Sequence, residues 1–312
     1  MGNYSIRVLE KIIVLFIAMA AGYIAKKTKL VDVSSTKSLS SLLVSITNPC
    51  LIIGSLQTDY DKQKLITAAY VFILSFAVHT ILAVLTHFIF LKVKDHRVRS
   101  VYSFALMYMN CGFMGYPIMM AIFGNEVGLF YGVIYTTAFN LFVWTHGVII
   151  MSPDDKVKLP MRKIFFNPGI ISVVISIILF LCRIRLPGVL TEGLDMIGGM
   201  TFPLSMMIIG SLLADMNLLS VLKDTKLYCF SFLKLIVIPG IMLAFGYFFH
   251  LPQYLALIGL AMCASPSAAN TAVFAEVYGN ESGLAAKIVG VSTLFSLITM
   301  PAMLALSEII LK

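Results

Sequence analysis

Apolar residues run along this chain in ten blocks, at about 8–25, 38–56, 66–91, 100–122, 127–151, 166–184, 189–213, 227–249, 254–275 and 284–310. Each is long enough to cross a hydrocarbon core of ~30 Å as a helix. Two blocks are interrupted. The fourth contains Asn110-Cys-Gly-Phe-Met-Gly-Tyr-Pro117, in which two glycines and a proline fall close together. In a helix interior these cost roughly 1 kcal/mol for each Gly and 3 for Pro, so the helix unwinds there. The ninth is broken by Ala264-Ser-Pro-Ser-Ala-Ala-Asn-Thr271. Irregular backbone at membrane depth survives only where protein buries it or a cavity is lined by it, so both breaks read as site-forming.

A short phrase follows each break, Gly124-Asn-Glu-Val-Gly-Leu129 and Gly279-Asn-Glu-Ser-Gly-Leu284, and the two copies stand 155 residues apart. The pattern predicts an all-α polytopic membrane protein of ten transmembrane helices in two five-helix repeats, 1–155 and 156–312, forming one integral membrane unit. Five crossings per repeat make the second enter from the opposite side, so the repeats are inverted, as in many secondary transporters. The N-terminal block imitates a signal peptide, with Arg7, Lys11 and Ala18-Met-Ala20. Its repeat partner, Phe166 to Ile184, has to be a span, so the first block is also expected to be one.

Composition agrees with the pattern. Hydrophobic residues make up 59% and charged residues 12%, which excludes a large soluble core. The net charge of +8 does not signal nucleic acid, because the basic residues sit singly or in small groups between apolar blocks. They orient the chain instead. Of 23 Lys and Arg, Lys234 lies within a span and Arg7, Lys11, Lys62, Lys64, Arg183, Arg185 and Lys312 lie on one side, which leaves fifteen on the other. The richer side is cytoplasmic, which places both termini outside the cytoplasm and the protein, multi-pass, in the cell membrane. The connection from Ser152 to Phe165 is the expected linker between halves. Cys50, Cys111, Cys182, Cys229 and Cys263 show no CxxC or ligand spacing, so neither disulfide, metal nor cofactor is expected.

The chemistry of the breaks follows from helix ends. A broken helix turns the N-terminus of its second half toward the midplane, where unpaired N–H groups favour an anion. In the ninth block Ser265 reads as an N-cap with Pro266 at the first helical position, leaving Ser267, Asn270 and Thr271 as polar neighbours. Asn110, Gly112, Gly115 and Pro117 form the matching group in the fourth. Asn48, before Pro49 in the second block, and Asn140 in the fifth are further candidates, and these two, like Asn110, are open also to a purely structural role in satisfying backbone. Thr201-Phe-Pro203 in the seventh block matches Thr47-Asn-Pro49 and reads first as a packing kink. Tyr108, Phe113, Tyr116 and Trp144 read as packing rather than a ring-binding box.

The interior of the first nine blocks carries no carboxylate at mid-depth. What stands there instead is His79 and Lys234, 155 residues apart and thus equivalent in the repeat. Lys234 is about 12 Å into its block at 1.5 Å per residue, deep for snorkelling alone, with snorkelling toward the cytoplasm still open as the alternative. Either side chain is a candidate for charge compensation or proton coupling. Without an anionic ligand, sodium coupling is disfavoured relative to proton linkage or uniport. No HExxH motif or intramembrane Asp pair is present, so the chain is not expected to be an enzyme.

Taken in order, Asn48-Pro49, the Asn-x-Gly-x-x-Gly-x-Pro break from Asn110, Asn167-Pro168 and Ser265-Pro-Ser-Ala-Ala-Asn270 resemble the auxin efflux carrier family over essentially the whole chain. Lacking a large hydrophilic loop between the fifth and sixth spans, it resembles the short bacterial-type members. The resemblance implies a fold like that of bile-acid/sodium symporters, with broken helices 4 and 9 crossing at mid-membrane and one helix bundle moving against another. It also implies a secondary transporter of small organic anions, mono- or dicarboxylates or auxin-like acids, working by alternating access. A sodium-coupled symporter, and a sensor or binding module without transport on the same fold, remain alternatives, as do proton partnership and a homodimer.

Overall fold

The computed structural model describes residues 4–152, 166–215 and 224–311. The expected linker between the halves falls almost entirely outside them. Twelve helices are present among the described residues: α1 (Tyr4–Lys27), α2 (Val33–Ser55), α3 (Lys62–Ile89), α4 (His96–Met107), α5 (Cys111–Phe123), α6 (Asn125–Met151), α7 (Pro168–Leu181), α8 (Gly188–Ala214), α9 (Thr225–Phe248), α10 (Gln253–Cys263), α11 (Asn270–Val277) and α12 (Ser282–Ile310). Seven of them (α1, α2, α3, α6, α8, α9 and α12) are long and apolar enough to cross a membrane, and α5, α7 and α10 are shorter apolar helices. The fourth and ninth apolar blocks each become two helices, α4 with α5 and α10 with α11.

Four of the fifteen Asp and Glu residues, and one Asn, cap helix starts. Asp32, Asp61, Asp95, Asn167 and Asp224 each accept a hydrogen bond from a backbone N–H in the first turn of the helix that follows. Each satisfies a donor that has no partner within its helix. Asn167 does so with Pro168 at the first helical position, where the missing N–H costs nothing.

Three prolines inside the spans widen the helix ahead of them, whereas Pro301 sits in α12 without a widened turn. The turns Leu43–Thr47, Cys111–Gly115 and Leu233–Val237 are π-helical, and each ends two residues before a proline, Pro49, Pro117 and Pro239. A proline ring clashes with the carbonyl four residues back, here that of Ser45, Phe113 or Leu235, the middle residue of each widened turn. The extra residue in the turn relieves the clash. In α8 the helix is instead interrupted at Met200, just before Thr201 and Pro203.

Packing sorts the helices into two groups. α1 lies along α8, and α2 lies on α7 and α8, while α3 to α6 and α9 to α12 pack mainly among themselves. Glycines permit the closest approach in the first group. A methyl on Gly22 would stand 2.0 Å from the Met207 carbonyl oxygen, and one on Gly210 would stand 1.9 Å from that of Met19. Backbone meets backbone there, as small residues allow between membrane helices. Gly124 and Gly279, the first residues of the repeated phrase, both take positive φ, 87° and 72°. A side chain would strain either turn.

Candidate functional site

The two interruptions pair with each other. Between α4 and α5 the chain runs extended through Tyr108 and Met109, and Met109 forms an isolated antiparallel bridge with Ser267 from the gap between α10 and α11. The Asn110 N–H donates to the Pro266 carbonyl at 2.7 Å, and the Ala268 N–H donates to the Tyr108 carbonyl at 2.9 Å. Backbone groups freed by the broken helices thereby satisfy one another inside the protein. Around them Met107, Tyr108, Met109, Ala264, Ser265 and Ser267 are fully buried.

This pairing corrects the reading of Ser265 and Pro266 as a helix start. The hydroxyl of Ser265 donates back to the Ala261 carbonyl at 3.2 Å, closing the end of α10, and α11 begins only at Asn270. The extended pairing with Tyr108 and Asn110 holds Pro266 to Ala268 out of helical geometry. Ser267 is likewise spent on structure, its hydroxyl donating to the Ala105 carbonyl at 2.9 Å and its N–H to Ser292 Oγ at 3.2 Å. Ser292, on α12, went unnoticed in the sequence because one more hydroxyl in an apolar run carries no signal.

Asn110 is the N-cap of the turn that opens α5. Its side-chain oxygen accepts from the Phe113 N–H at 3.3 Å, while its amide nitrogen is buried and has no partner among the described residues. Thr271 is buried with its hydroxyl unpartnered, and the half-buried Asn270 makes no side-chain hydrogen bond among the described residues. Neither Gly112 nor Asn270 donates its backbone N–H among the described residues, as expected for first-turn positions. A methyl at Gly112 would meet nothing within 4 Å, so open space adjoins its Cα. Gly115 differs: a methyl there would come 2.8 Å from Met262 Sδ, so this glycine serves the contact with α10. Pro117 is buried and widens the turn before it.

Lys234 comes to the same place from α9. Its side chain is fully buried, and its ammonium donates to the Leu106 carbonyl at 2.8 Å. That carbonyl belongs to the last turn of α4, where the helix dipole and unpaired acceptors favour a cation. The widened turn before Pro239 contains Lys234 and so helps set its direction. No Asp or Glu is buried among the described residues, so none of these supplies a carboxylate to this ammonium at depth.

His79 is fully buried on α3 and donates Nδ1–H to the Ser75 carbonyl at 2.7 Å, while its Nε2 has no partner. Its ring lies 6.4 Å from that of Tyr108, centroid to centroid. Tyr108 in turn donates its hydroxyl to the Phe142 carbonyl at 2.8 Å, beside the widened turn Val143–Gly147. Tyr116 meets Thr136 Oγ1 at 2.5 Å, and Trp144 packs on Phe274, contacts that fit the packing role expected of these aromatics. Asn140 is half-buried on α6, which packs against the Cys111–Gly115 turn. Asn48 is half-buried on α2, and no hydrogen bond joins it to either interruption.

Long apolar helices, two of the apolar segments broken and paired in the interior, and polar groups gathered at the breaks define a multi-pass membrane protein. Comparison with known proteins agrees: a family model described as membrane transport protein matches residues 7–304, and the chain belongs to that family. The resemblance to auxin efflux carriers drawn from the sequence holds at this level. The chain is 23% identical over 308 residues to an uncharacterized transporter of Methanocaldococcus jannaschii, covering 93% of this chain and 96% of that one. It is also 23% identical over 298 residues to an uncharacterized transporter of Methanothermobacter thermautotrophicus, covering 94% and 96%.

Proposed function

We propose that this transporter carries small organic anions by alternating access, with a carboxylate held where the α4–α5 and α10–α11 interruptions meet. The supporting observation is the buried, uncommitted amide nitrogen of Asn110, together with a buried Lys234 that has no buried carboxylate to pair with among the described residues. A buried cation without a counter-ion is costly, and a substrate carboxylate arriving nearby offsets that cost. The N-termini of α5 and α11 add unpaired N–H groups of the same sign.

In this reading the chain is ten membrane crossings in two inverted repeats. The α1, α2, α7 and α8 group is the frame, and the remaining helices move against it. Both termini face away from the cytoplasm across the cell membrane. Lys234 stands as a permanent charge, so no sodium ion is required, and a proton on His79 or no coupling ion at all completes the cycle. Thermal-shift screening of carboxylates against the purified protein tests the binding half of the proposal. Stabilisation by a small carboxylate, lost in Asn110→Ala, is expected; a melting curve unmoved by every carboxylate contradicts it.

A further inference from the structure

At the end of α7 two spaces share walls. One is an apolar groove of about 440 Å³ between α3, α6 and α7, and its single polar liner, the Thr137 hydroxyl, is spent on the Val133 carbonyl at 3.0 Å. The other is a polar recess of about 320 Å³ bordered by Asp59, Tyr60, Arg183 and Arg185. Leu56 and Phe180 line both. The groove is open on its outer side, where Ile73 and Leu181 are exposed.

The charges in the recess are unequally engaged. Arg185 pairs with Asp59 at 2.5 Å and also donates to the Gln57 carbonyl. Arg183 meets no carboxylate among the described residues. Its guanidinium lies over the Tyr60 ring, 4.4 Å from the centroid. Stacking uses the face of a guanidinium and leaves its N–H edge free for an oxyanion. With two arginines and one aspartate, the recess carries a net charge of +1.

Backbone geometry fixes this arginine in place. The Ile184 N–H bonds to the Leu179 carbonyl at 2.9 Å and the Arg183 N–H to the Phe180 carbonyl at 3.2 Å, a Schellman end for α7. Arg183 occupies the left-handed position of that motif, with φ of 57°, where glycine is the usual choice. Lys29 and His250 hold the equivalent position after α1 and α9, so a basic residue at a helix end does not by itself make a site. What distinguishes Arg183 is the apolar groove that opens beneath it.

We propose that the groove and recess together bind an anionic phospholipid, with one acyl chain between α3, α6 and α7 and the phosphodiester on the free edge of Arg183. An apolar channel with no free polar group suits a hydrocarbon tail and rejects a polar solute. The adjoining singly positive recess matches the single negative charge of a phosphodiester headgroup.

Native mass spectrometry of the purified protein, with phosphatidylglycerol or phosphatidylcholine of identical acyl chains added, tests the assignment. The wild type is expected to retain phosphatidylglycerol about fivefold more than phosphatidylcholine, the value of one arginine near an anionic surface. Arg183→Ala removes that preference, and Arg183→Lys keeps it. Ala69→Trp, on an exposed groove wall, reduces retention of both lipids. Thermal melting confirms that each variant is folded. An unchanged preference in folded Arg183→Ala, undiminished retention in Ala69→Trp, or displacement of the lipid by inorganic phosphate would overturn the proposal.

Discussion

Lys234 and Leu106 are 128 residues apart in sequence, yet the lysine ammonium donates to the leucine carbonyl at 2.8 Å, fully buried at the point where α4 stops. One bond thus joins α9 to the end of the first interrupted helix. Lys234→Ala is expected to lower the melting temperature in detergent, because an orphaned carbonyl costs about 1–3 kcal/mol and the lost side chain leaves a cavity. Lys234→Met fills the space without the charge. It is expected to fold and to lose anion binding; wild-type binding in that variant would reduce the lysine to a spacer.

Asn110 and Ser267 are expected to separate binding from stability. The hydroxyl of Ser267 is committed to the Ala105 carbonyl, so Ser267→Ala costs about 1 kcal/mol of stability, read by thermal unfolding. The amide nitrogen of Asn110 is uncommitted, so Asn110→Ala weakens carboxylate affinity by roughly tenfold to a hundredfold, a charge-assisted bond being worth ~1.5–3 kcal/mol. Asn270→Ala shares that expectation. Titration calorimetry on the folded variants measures it, and unchanged affinity in both asparagine variants would contradict it.

The seam between α1 and α8 gives a test of packing. Gly22→Ala and Gly210→Ala each drive a methyl into the facing backbone, and overpacking of this kind costs typically about 1–3 kcal/mol. Gly240→Ala in α9 meets nothing within 4 Å and is expected to be neutral or mildly stabilising. Equal melting temperatures for all three would mean that the two helices are not apposed as described.

Orientation is tested by labelling. Single cysteines near Lys94 and Lys158 are expected to react from the cytoplasmic side and one near Gln63 only from outside. Reaction of all three from one side would remove the inverted arrangement.

Much of this was legible in the sequence because the signals were covalent. Pro117 and Pro266 cannot complete a helical hydrogen-bond ladder and Gly112 and Gly115 weaken one, and the structure interrupts or widens the helix around each. The repeated phrase was similarly informative, since Gly124 and Gly279 both adopt the left-handed backbone that only glycine takes freely. Local rules failed where a distant partner decided. Ser265-Pro266 has every mark of a helix start, but Tyr108 and Asn110, more than a hundred residues away, hold that stretch extended. The bond from Lys234 to Leu106 was equally unreadable, because sequence reports depth and not what a side chain meets. Arg183 in a glycine position left no trace either, arginine at a helix end being ordinary.

Flux decides the central claim. Carboxylate uptake is measured in proteoliposomes at fixed pH and voltage, with sodium replaced by potassium, for the wild type and Asn110→Ala. Equal uptake in the two salts, and loss of uptake in the variant, is the predicted result. Uptake that vanishes without sodium would mean that carbonyls at the interruptions ligate an ion in place of the lysine charge, and uptake undiminished in Asn110→Ala would move the substrate away from the paired breaks.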